Sequence, residues 1–199
     1  MSLKEIYDYP LVLYCWGNSK LLNVGKKLAI VGCRDYSKYG KDVCLKLGKE
    51  LSEKGYIIVS GLAKGIDSFS HIAALKSNGL TIGVLGNGLN HFYPTENKKL
   101  EEEIVKRNGL IISEYPVNMA PTRYTFPARN RIISALSDGV LVIEAKEKSG
   151  TLITVDFALE QGRNVYCIPG NIDSDNSVGT NRLIKEGAMM VTKAEDINF

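Results

Sequence analysis

Short runs of continuous apolar residues punctuate the chain at 28–33, 56–60, 81–85, 110–113, 140–144 and 165–168. Most are rich in Val and Ile and none alternates with polar residues, which is the pattern of strands buried on both faces. Between them the apolar positions fall at helical spacing, as in Val43, Leu47 and Leu51, in Ile72 and Leu75, or in Leu100, Ile104 and Val105. The alternation of strand and helix predicts an α/β fold, an open and mostly parallel sheet with helices on both faces. Two stretches depart from the pattern. Residues 1–27, with Tyr7, Tyr9, Pro10, Tyr14 and Trp16, read as an extended aromatic lead-in packed on a single domain that spans 28–199; Met1-Ser2-Leu3 reads as an expression scar. Residues 171–179, rich in Asn, Asp and Ser, read as a surface loop before a last helix at 180–186.

Composition narrows the classes without choosing among them. A chain of 199 residues fits one large domain that buries about 70% of its unfolded surface. Its 25 Lys and Arg against 22 Asp and Glu give a net charge of +3, so a site for a polyanion must come from local clustering rather than from total charge. Cys15, Cys33, Cys44 and Cys167 form no Cys-x-x-Cys pair and share no ligand spacing with His71 or His91, which argues for reduced thiols and against a metal site. The chain opens on no secretory apolar segment and carries no apolar run long enough to span a membrane, so the expectation is a soluble protein of a reducing cytoplasm.

The local imbalance of charge lies at 115–137, which holds Arg123, Arg129 and Arg131 and no acid. Tyr124 and Phe126 stand among these arginines, so positive charge and flat aromatic surface are offered together, as a single-stranded nucleic acid requires. An alternative stays open at this point: Arg129-Asn130-Arg131 as a helix start with solvated arginines, and Phe126 as core.

Ligands of an open parallel sheet bind beyond the carboxyl ends of its strands, and there this chain is rich in glycine. Gly32-Cys33-Arg34 follows the first run, Ser60-Gly61-Leu62-Ala63-Lys64-Gly65-Ile66-Asp67 the second, and Gly86-Asn87-Gly88 the third. Lys148-Ser149-Gly150-Thr151 follows the 140–144 run with a cation, two hydroxyls and a glycine at an expected helix start. Such turns admit an anion to the free N–H groups of a helix, and Arg34 and Lys64 add charge; equally, each glycine alone is explained by a tight turn. No Gly-x-Gly-x-x-Gly, Walker A loop, Gly-x-Ser-x-Gly elbow or His-Glu-x-x-His helix occurs, which removes nicotinamide, P-loop, serine-hydrolase and zinc-protease chemistry. Among the carboxylates considered as general bases, Asp67 reads as a helix-start partner, Glu114 and Glu144 sit at strand ends, and Glu160 lies on a helix; none has a second group at a telling spacing.

Taken in order, Ile30-Val31-Gly32-Cys33-Arg34, the Ser60 to Asp67 block, Val84-Leu85-Gly86-Asn87-Gly88 with Tyr93-Pro94, Ser113-Glu114-Tyr115-Pro116, Phe126-Pro127-x-Arg129-Asn130-Arg131-Ile132-Ile133 and Lys148-Ser149-Gly150-Thr151-Leu152-Ile153-Thr154 closely resemble the DNA-processing protein DprA (Smf) family. Pro169-Gly170 and Gly179-Thr180-Asn181 extend the match, which covers 9–191. The resemblance implies an extended Rossmann-like domain that binds single-stranded DNA, protects incoming strands in natural transformation and helps load the RecA recombinase, with binding rather than turnover and no cofactor. It maps a basic pocket onto Arg34, with Arg123 and Phe126 as a cation and an aromatic facing DNA. Together with the elbows, the candidate phosphate and DNA contacts are Gly32, Arg34, Gly61, Lys64, Gly65, Arg123, Phe126, Arg129, Asn130, Arg131, Lys148, Ser149, Gly150 and Thr151, with Arg129 and Arg131 open to a scaffold role. A homodimer interface is implied around Leu183, Ile184, Met189 and Met190. The chain departs from the family in carrying Cys33 where Ser or Thr is usual, and the helical and winged-helix-like domains of many members do not fit in these 199 residues, so the expectation is a short member or an excised core. Two other readings remain: a nucleoside-monophosphate phosphoribohydrolase of the lonely-guy kind, whose Pro-Gly-Gly-x-Gly-Thr-x-x-Glu run is absent, and a sensor that binds a small nucleotide among the glycine turns.

Overall fold

A computed structural model describes Leu3 to Phe199; Met1 and Ser2, part of the segment set aside above, lie outside the described residues. The chain runs β1 (Tyr14–Gly17), β2 (Lys27–Val31), α1 (Lys38–Glu53), β3 (Ile57–Ser60), α2 (Ile66–Lys76), β4 (Thr81–Leu85), α3 (Lys98–Lys106), β5 (Leu110–Ser113), α4 (Thr125–Leu136), β6 (Gly139–Val142), α5 (Gly150–Glu160), β7 (Asn164–Cys167), α6 (Val178–Lys185) and β8 (Met189–Met190). The strands form one sheet in the order β1-β5-β4-β3-β2-β6-β7-β8, parallel throughout except where β1 pairs antiparallel with β5, Tyr14 opposite Ser113.

Continuous apolar strands are required because successive side chains enter opposite cores. Leu28 and Ile30 of β2 pack with Cys44, Leu47 and Leu51 of α1 and Ile66 of α2. Ala29 and Val31, one residue out of phase, pack with Ile132 and Ile133 of α4 and Val155 and Ala158 of α5. Ile104 of α3 closes the first face further along the sheet, against Leu62, Leu85 and Ile111. Every residue of β2 to β6 is buried; the polar ones among them, Lys27, Ser60, Thr81 and Ser113, stand at strand ends and donate to backbone carbonyl oxygens.

Three elements differ from the sequence expectation, each at an edge. The aromatic lead-in contributes a four-residue strand of its own, β1, whose half-exposed alternation carried too weak a pattern to be read. Met189 and Met190 form β8 beside β7, two exposed residues with no burial signal. The last helix begins at Val178 rather than 180, directly after a short turn of 3-10 helix at Asp175–Ser177.

From β2 the strand order proceeds through β3, β4 and β5 to one side, and from β6 through β7 and β8 to the other. The neighbours β2 and β6, with Val31 opposite Val142, therefore send their following loops in opposite directions. A crevice opens between them, at the place where ligands bind in sheets of this kind.

Candidate nucleic-acid interface

That crevice is a cavity of about 720 Å³. One wall is the β2–α1 loop with Gly32, Cys33, Arg34 and Asp35; the opposite wall is the β6–α5 loop with Lys146, Lys148, Ser149, Gly150 and Thr151. The approach to α4 and its first turns supply the third side, with Thr122, Arg123, Phe126, Arg129 and Asn130. Arg34, Arg123, Arg129, Lys146 and Lys148 line it against Asp35 and Asp67, so a nearly balanced chain gathers most of its excess positive charge at one spot. A narrower slot of about 50 Å³ adjoins it, lined by Gly61, Lys64, Gly86, Tyr93 and Phe126 among others, with Arg34 and Arg129 shared between the two.

Backbone geometry explains why glycine stands at these turns. Gly65 adopts φ +82°, and a Cβ there would lie 2.4 Å from the Cys33 carbonyl oxygen, so the β3–α2 turn presses directly against the β2–α1 loop. A Cβ on Gly61 would meet Asp67 Oδ2 at 2.6 Å and Arg129 Nη2 at 2.7 Å. Gly61 therefore leaves room for a buried cation beneath the cavity, and Gly65 is a packing residue rather than a surface one.

Arg129 is that cation. It is 3% exposed, and its Nη1 donates to the Gly61 carbonyl oxygen at 2.6 Å and to the Val84 carbonyl oxygen. Burial lowers its pKa to about 10, opposed by the charge of Asp67, so it stays protonated at neutral pH. Burial likewise pushes the Asp67 carboxyl up, with Arg129 acting against that shift. Arg131, 6% exposed, points away from the cavity: its Nη2 lies 2.6 Å from Glu114 Oε1 and its Nε 3.0 Å from Asp8 Oδ2, tying α4 to β5 and to the lead-in. Arg129 is thus a buried charge that lines the cavity from beneath, and Arg131 is a clamp held by Glu114 and Asp8.

The remaining candidates divide as well. Arg34 stacks its guanidinium 5.7 Å from the Phe126 ring centroid, and Tyr93 approaches the other part of that ring at 5.4 Å with 40° between planes. Phe126 also fills the space that a Cβ on Gly86 would need, 2.8 Å from its Cδ1, so it is anchored by the sheet on one edge while still lining the cavity. Arg123 packs over Tyr124 at 4.7 Å and donates to its hydroxyl. At the fourth elbow Ser149 caps α5: its Oγ accepts from Thr151 N at 3.2 Å, which uses the hydroxyl and the Thr151 N–H within the protein and leaves Gly150 and Lys148 exposed at the mouth. Asn130 Nδ2 reaches the Gly150 carbonyl oxygen at 3.5 Å and joins the two walls. Lys64 borders the slot, not the main cavity, and pairs with Glu96.

The carboxylates considered as bases do not converge. Glu144, 1% exposed, accepts from Ser37 N at 3.0 Å and Ser37 Oγ at 2.5 Å and so holds the start of α1. Glu114 is engaged by Arg131, and Glu160 lies exposed at the end of α5. His71 is buried with Nδ1 2.7 Å from Thr81 Oγ1, and burial drops its pKa to about 3. Among the described residues no group of three or more His, Cys, Asp and Glu side chains is arranged to hold a metal, and no helix is long and apolar enough to cross a membrane. At the expected dimer surface, Leu183 belongs to the core instead, 7% exposed; Ile184 packs against that core, while Met189 and Met190 are exposed on the edge strand.

Sequence reasoning missed Asp35, Lys146 and Tyr93 as cavity residues. Lys146 lies just past β6 and Asp35 just past Arg34, positions the strand-end rule points to; Tyr93 comes from a loop whose route no local pattern gives.

Comparison with known proteins agrees with this geometry. The family model for "DNA recombination-mediator protein A" matches residues 1–198. The DNA processing protein DprA of Bacillus subtilis is 49% identical over 195 residues, which cover 98% of this chain and 65% of the relative. The crystal structure of DprA from Streptococcus pneumoniae superposes with a TM-score of 0.92 at 48% identity, covering 98% of this chain and 68% of that one. A structure describing the single-stranded DNA binding mode of DNA processing protein A from Helicobacter pylori superposes with a TM-score of 0.88 at 36% identity, covering 96% and 86%. The chain thus spans about two thirds of the length of the Bacillus relative. With the motifs, the sheet order and the cavity all in agreement, the chain belongs to the DNA recombination-mediator protein A family, the DprA or Smf proteins.

Proposed function

We propose that this chain binds single-stranded DNA in the cavity between the β2–α1 and β6–α5 loops, by binding and not by turnover, and serves a recombination mediator that protects incoming strands and passes them to a RecA-type recombinase in natural transformation. The observation that carries the reading is the convergence of Arg34, Arg123 and Lys148 with the Phe126 and Tyr93 rings at one sheet crevice. Phosphates meet cations while an unstacked base meets an aromatic face, the combination that single strands exploit. The Helicobacter relative, described as binding single-stranded DNA, shares this fold; the family's description as recombination mediators supports the recombinase partner. Glu114 and Glu144 are held by protein partners, which favours binding over catalysis. A homodimer formed at the exposed β8 edge, with Met189, Met190 and the flank of Ile184, completes the proposal.

Fluorescence anisotropy with labelled oligo-dT tests it. Binding should weaken steeply with salt, each neutralised phosphate contributing about −0.7 to the log–log slope, and duplex should compete poorly. Tight binding of AMP or a cyclic nucleotide with no retention of oligo-dT would overturn the reading in favour of a nucleotide enzyme or sensor.

A further inference from the structure

Two cations, one in the cavity wall and one beside the adjoining slot, are already paired with carboxylates. Lys146 Nζ lies 2.9 Å from Asp35 Oδ2 in the cavity wall, and Lys64 Nζ lies 2.6 Å from Glu96 Oε1 beside the adjoining slot. In contrast, Arg34, Arg123 and Lys148 form no ion pair with a carboxylate among the described residues. The Lys64 hydrogen bond holds the Glu96 carboxyl below its usual range, so this carboxylate is ionised throughout the neutral region. Asn176 Nδ2 donates to the Asp35 backbone oxygen at 2.9 Å, which fixes the backbone from which the carboxylate reaches Lys146.

We propose that Asp35 and Glu96 are resident phosphate mimics that set an affinity threshold for the site and make it selective for a polyphosphate backbone over a single phosphate. The inference rests on the single-strand reading above. A lone phosphate that takes Lys146 or Lys64 exchanges one ion pair for another, a nearly neutral step, and leaves a carboxylate facing it. A strand arrives with neighbouring phosphates that reach Arg34, Arg123 and Lys148, where no carboxylate has to be displaced. Solvent-exposed pairs are weak, so the strand can open them at a cost of about two- to five-fold in affinity each. The exchange also has a salt signature. A carboxylate released from its lysine recruits a counterion, which offsets the one that the phosphate loses, so these contacts add little to the salt slope until the carboxylate is removed.

The test uses the full chain with Asp35→Asn, Glu96→Gln and the double variant, and Glu103→Gln as a control that breaks the 2.6 Å pair with Arg107 outside the cavity. Oligo-dT affinity is measured by anisotropy across a salt series, with dTMP as competitor, and melting temperature is followed in parallel. Each rim variant should bind oligo-dT about two- to five-fold more tightly, with a salt slope steeper by up to about 0.7, and dTMP should compete better against the double variant than against the original chain. Glu103→Gln should match the original. The inference falls if the rim variants bind oligo-dT no more tightly than Glu103→Gln, or if dTMP gains nothing. If the original chain and all variants fail to retain oligo-dT, the single-strand reading falls and takes the inference with it; retention by all at equal affinity removes the inference alone.

Discussion

Arg34 and Arg129 border the same cavity and should fail in opposite ways. Arg34 is exposed, and its partners on the page are a ring face and solvent, so Arg34→Ala removes a phosphate contact and leaves folding intact. One contact contributes about 0.7 to the log–log salt slope, which at 0.1 M salt amounts to about five-fold in affinity, or ~1 kcal/mol. Arg129 carries the opposite load. Arg129→Met keeps the unbranched apolar stem of the side chain but leaves the Gly61 and Val84 carbonyl oxygens without the guanidinium donor, about 1–3 kcal/mol each, and it removes the charge that faces buried Asp67. A loss of about 3–5 kcal/mol is expected for breaking a buried charge network, which at roughly 2–4 °C per kcal/mol for a domain of this size lowers the melting temperature by about 6–20 °C. Differential scanning fluorimetry and oligo-dT anisotropy on the two variants decide the matter. A melting temperature for Arg129→Met within two or so degrees of the original, or an unchanged affinity and slope for Arg34→Ala, would refute the division of the cavity into floor and surface charges.

Phe126→Ala should weaken oligo-dT binding by about 1–3 kcal/mol if a base stacks on the ring; a variant that loses its cooperative melt instead would assign the ring to the core, where it already rests against Gly86. Glu101, fully buried on α3 with neither carboxyl oxygen hydrogen-bonded, has its pKa raised from 4.5 to about 8, chiefly by burial. A raised carboxyl pKa favours the fold fully below pH 4.5 and progressively less as pH rises toward 8, so Glu101→Gln should flatten the fall of denaturant stability across that window; each unit corresponds to about 1.4 kcal/mol. An unaltered pH profile would show that the carboxyl is solvated. If the proposed homodimer pairs through the β8 edge, Met190→Glu should lower its sedimentation coefficient toward that of the monomer with no change in melting temperature; a boundary that does not shift refutes an interface at this edge.

The central sheet was legible because burial on two faces keeps the strand interiors apolar: in β2 to β6 every residue is enclosed, and the polar residues Lys27, Ser60, Thr81 and Ser113 stand only at strand ends. The edges were not, since β1 and β8 are half or wholly exposed and their pairing is decided by what lies alongside. The start of α4 at Thr125 rather than near Arg129 has a similar cause: Pro127 sits in the first turn, where a missing N–H costs nothing, so a residue that looks like a breaker lies inside the helix. Charge in the 115–137 stretch was visible, but its destination was not. Arg129 bonds carbonyls 68 and 45 residues away and Arg131 a carbonyl 123 residues away, and nothing in the spacing of Arg-Asn-Arg distinguishes these from solvated side chains.

The switch in strand order is what turns separate glycine motifs into one site. The β2–α1 and β6–α5 loops are more than a hundred residues apart in the chain, yet Val31 faces Val142 across the ladder, so Arg34 and Lys148 share a cavity without either loop having to be long. The same topology accounts for the burial of Arg129. A helix that starts beside the crevice and packs over β4 and β3 must pass its side chain across the ends of these strands, where the Gly61 and Val84 carbonyl oxygens accept from Arg129. A buried guanidinium there bonds both and raises the potential of the cavity from below, while Arg34 and Arg123 rest on aromatic rings at its sides and Lys148 lies exposed at its mouth. Buried charge beneath and exposed charge above is the arrangement that the proposed single-strand site needs, because the floor favours any anion and the exposed cations meet the individual phosphates.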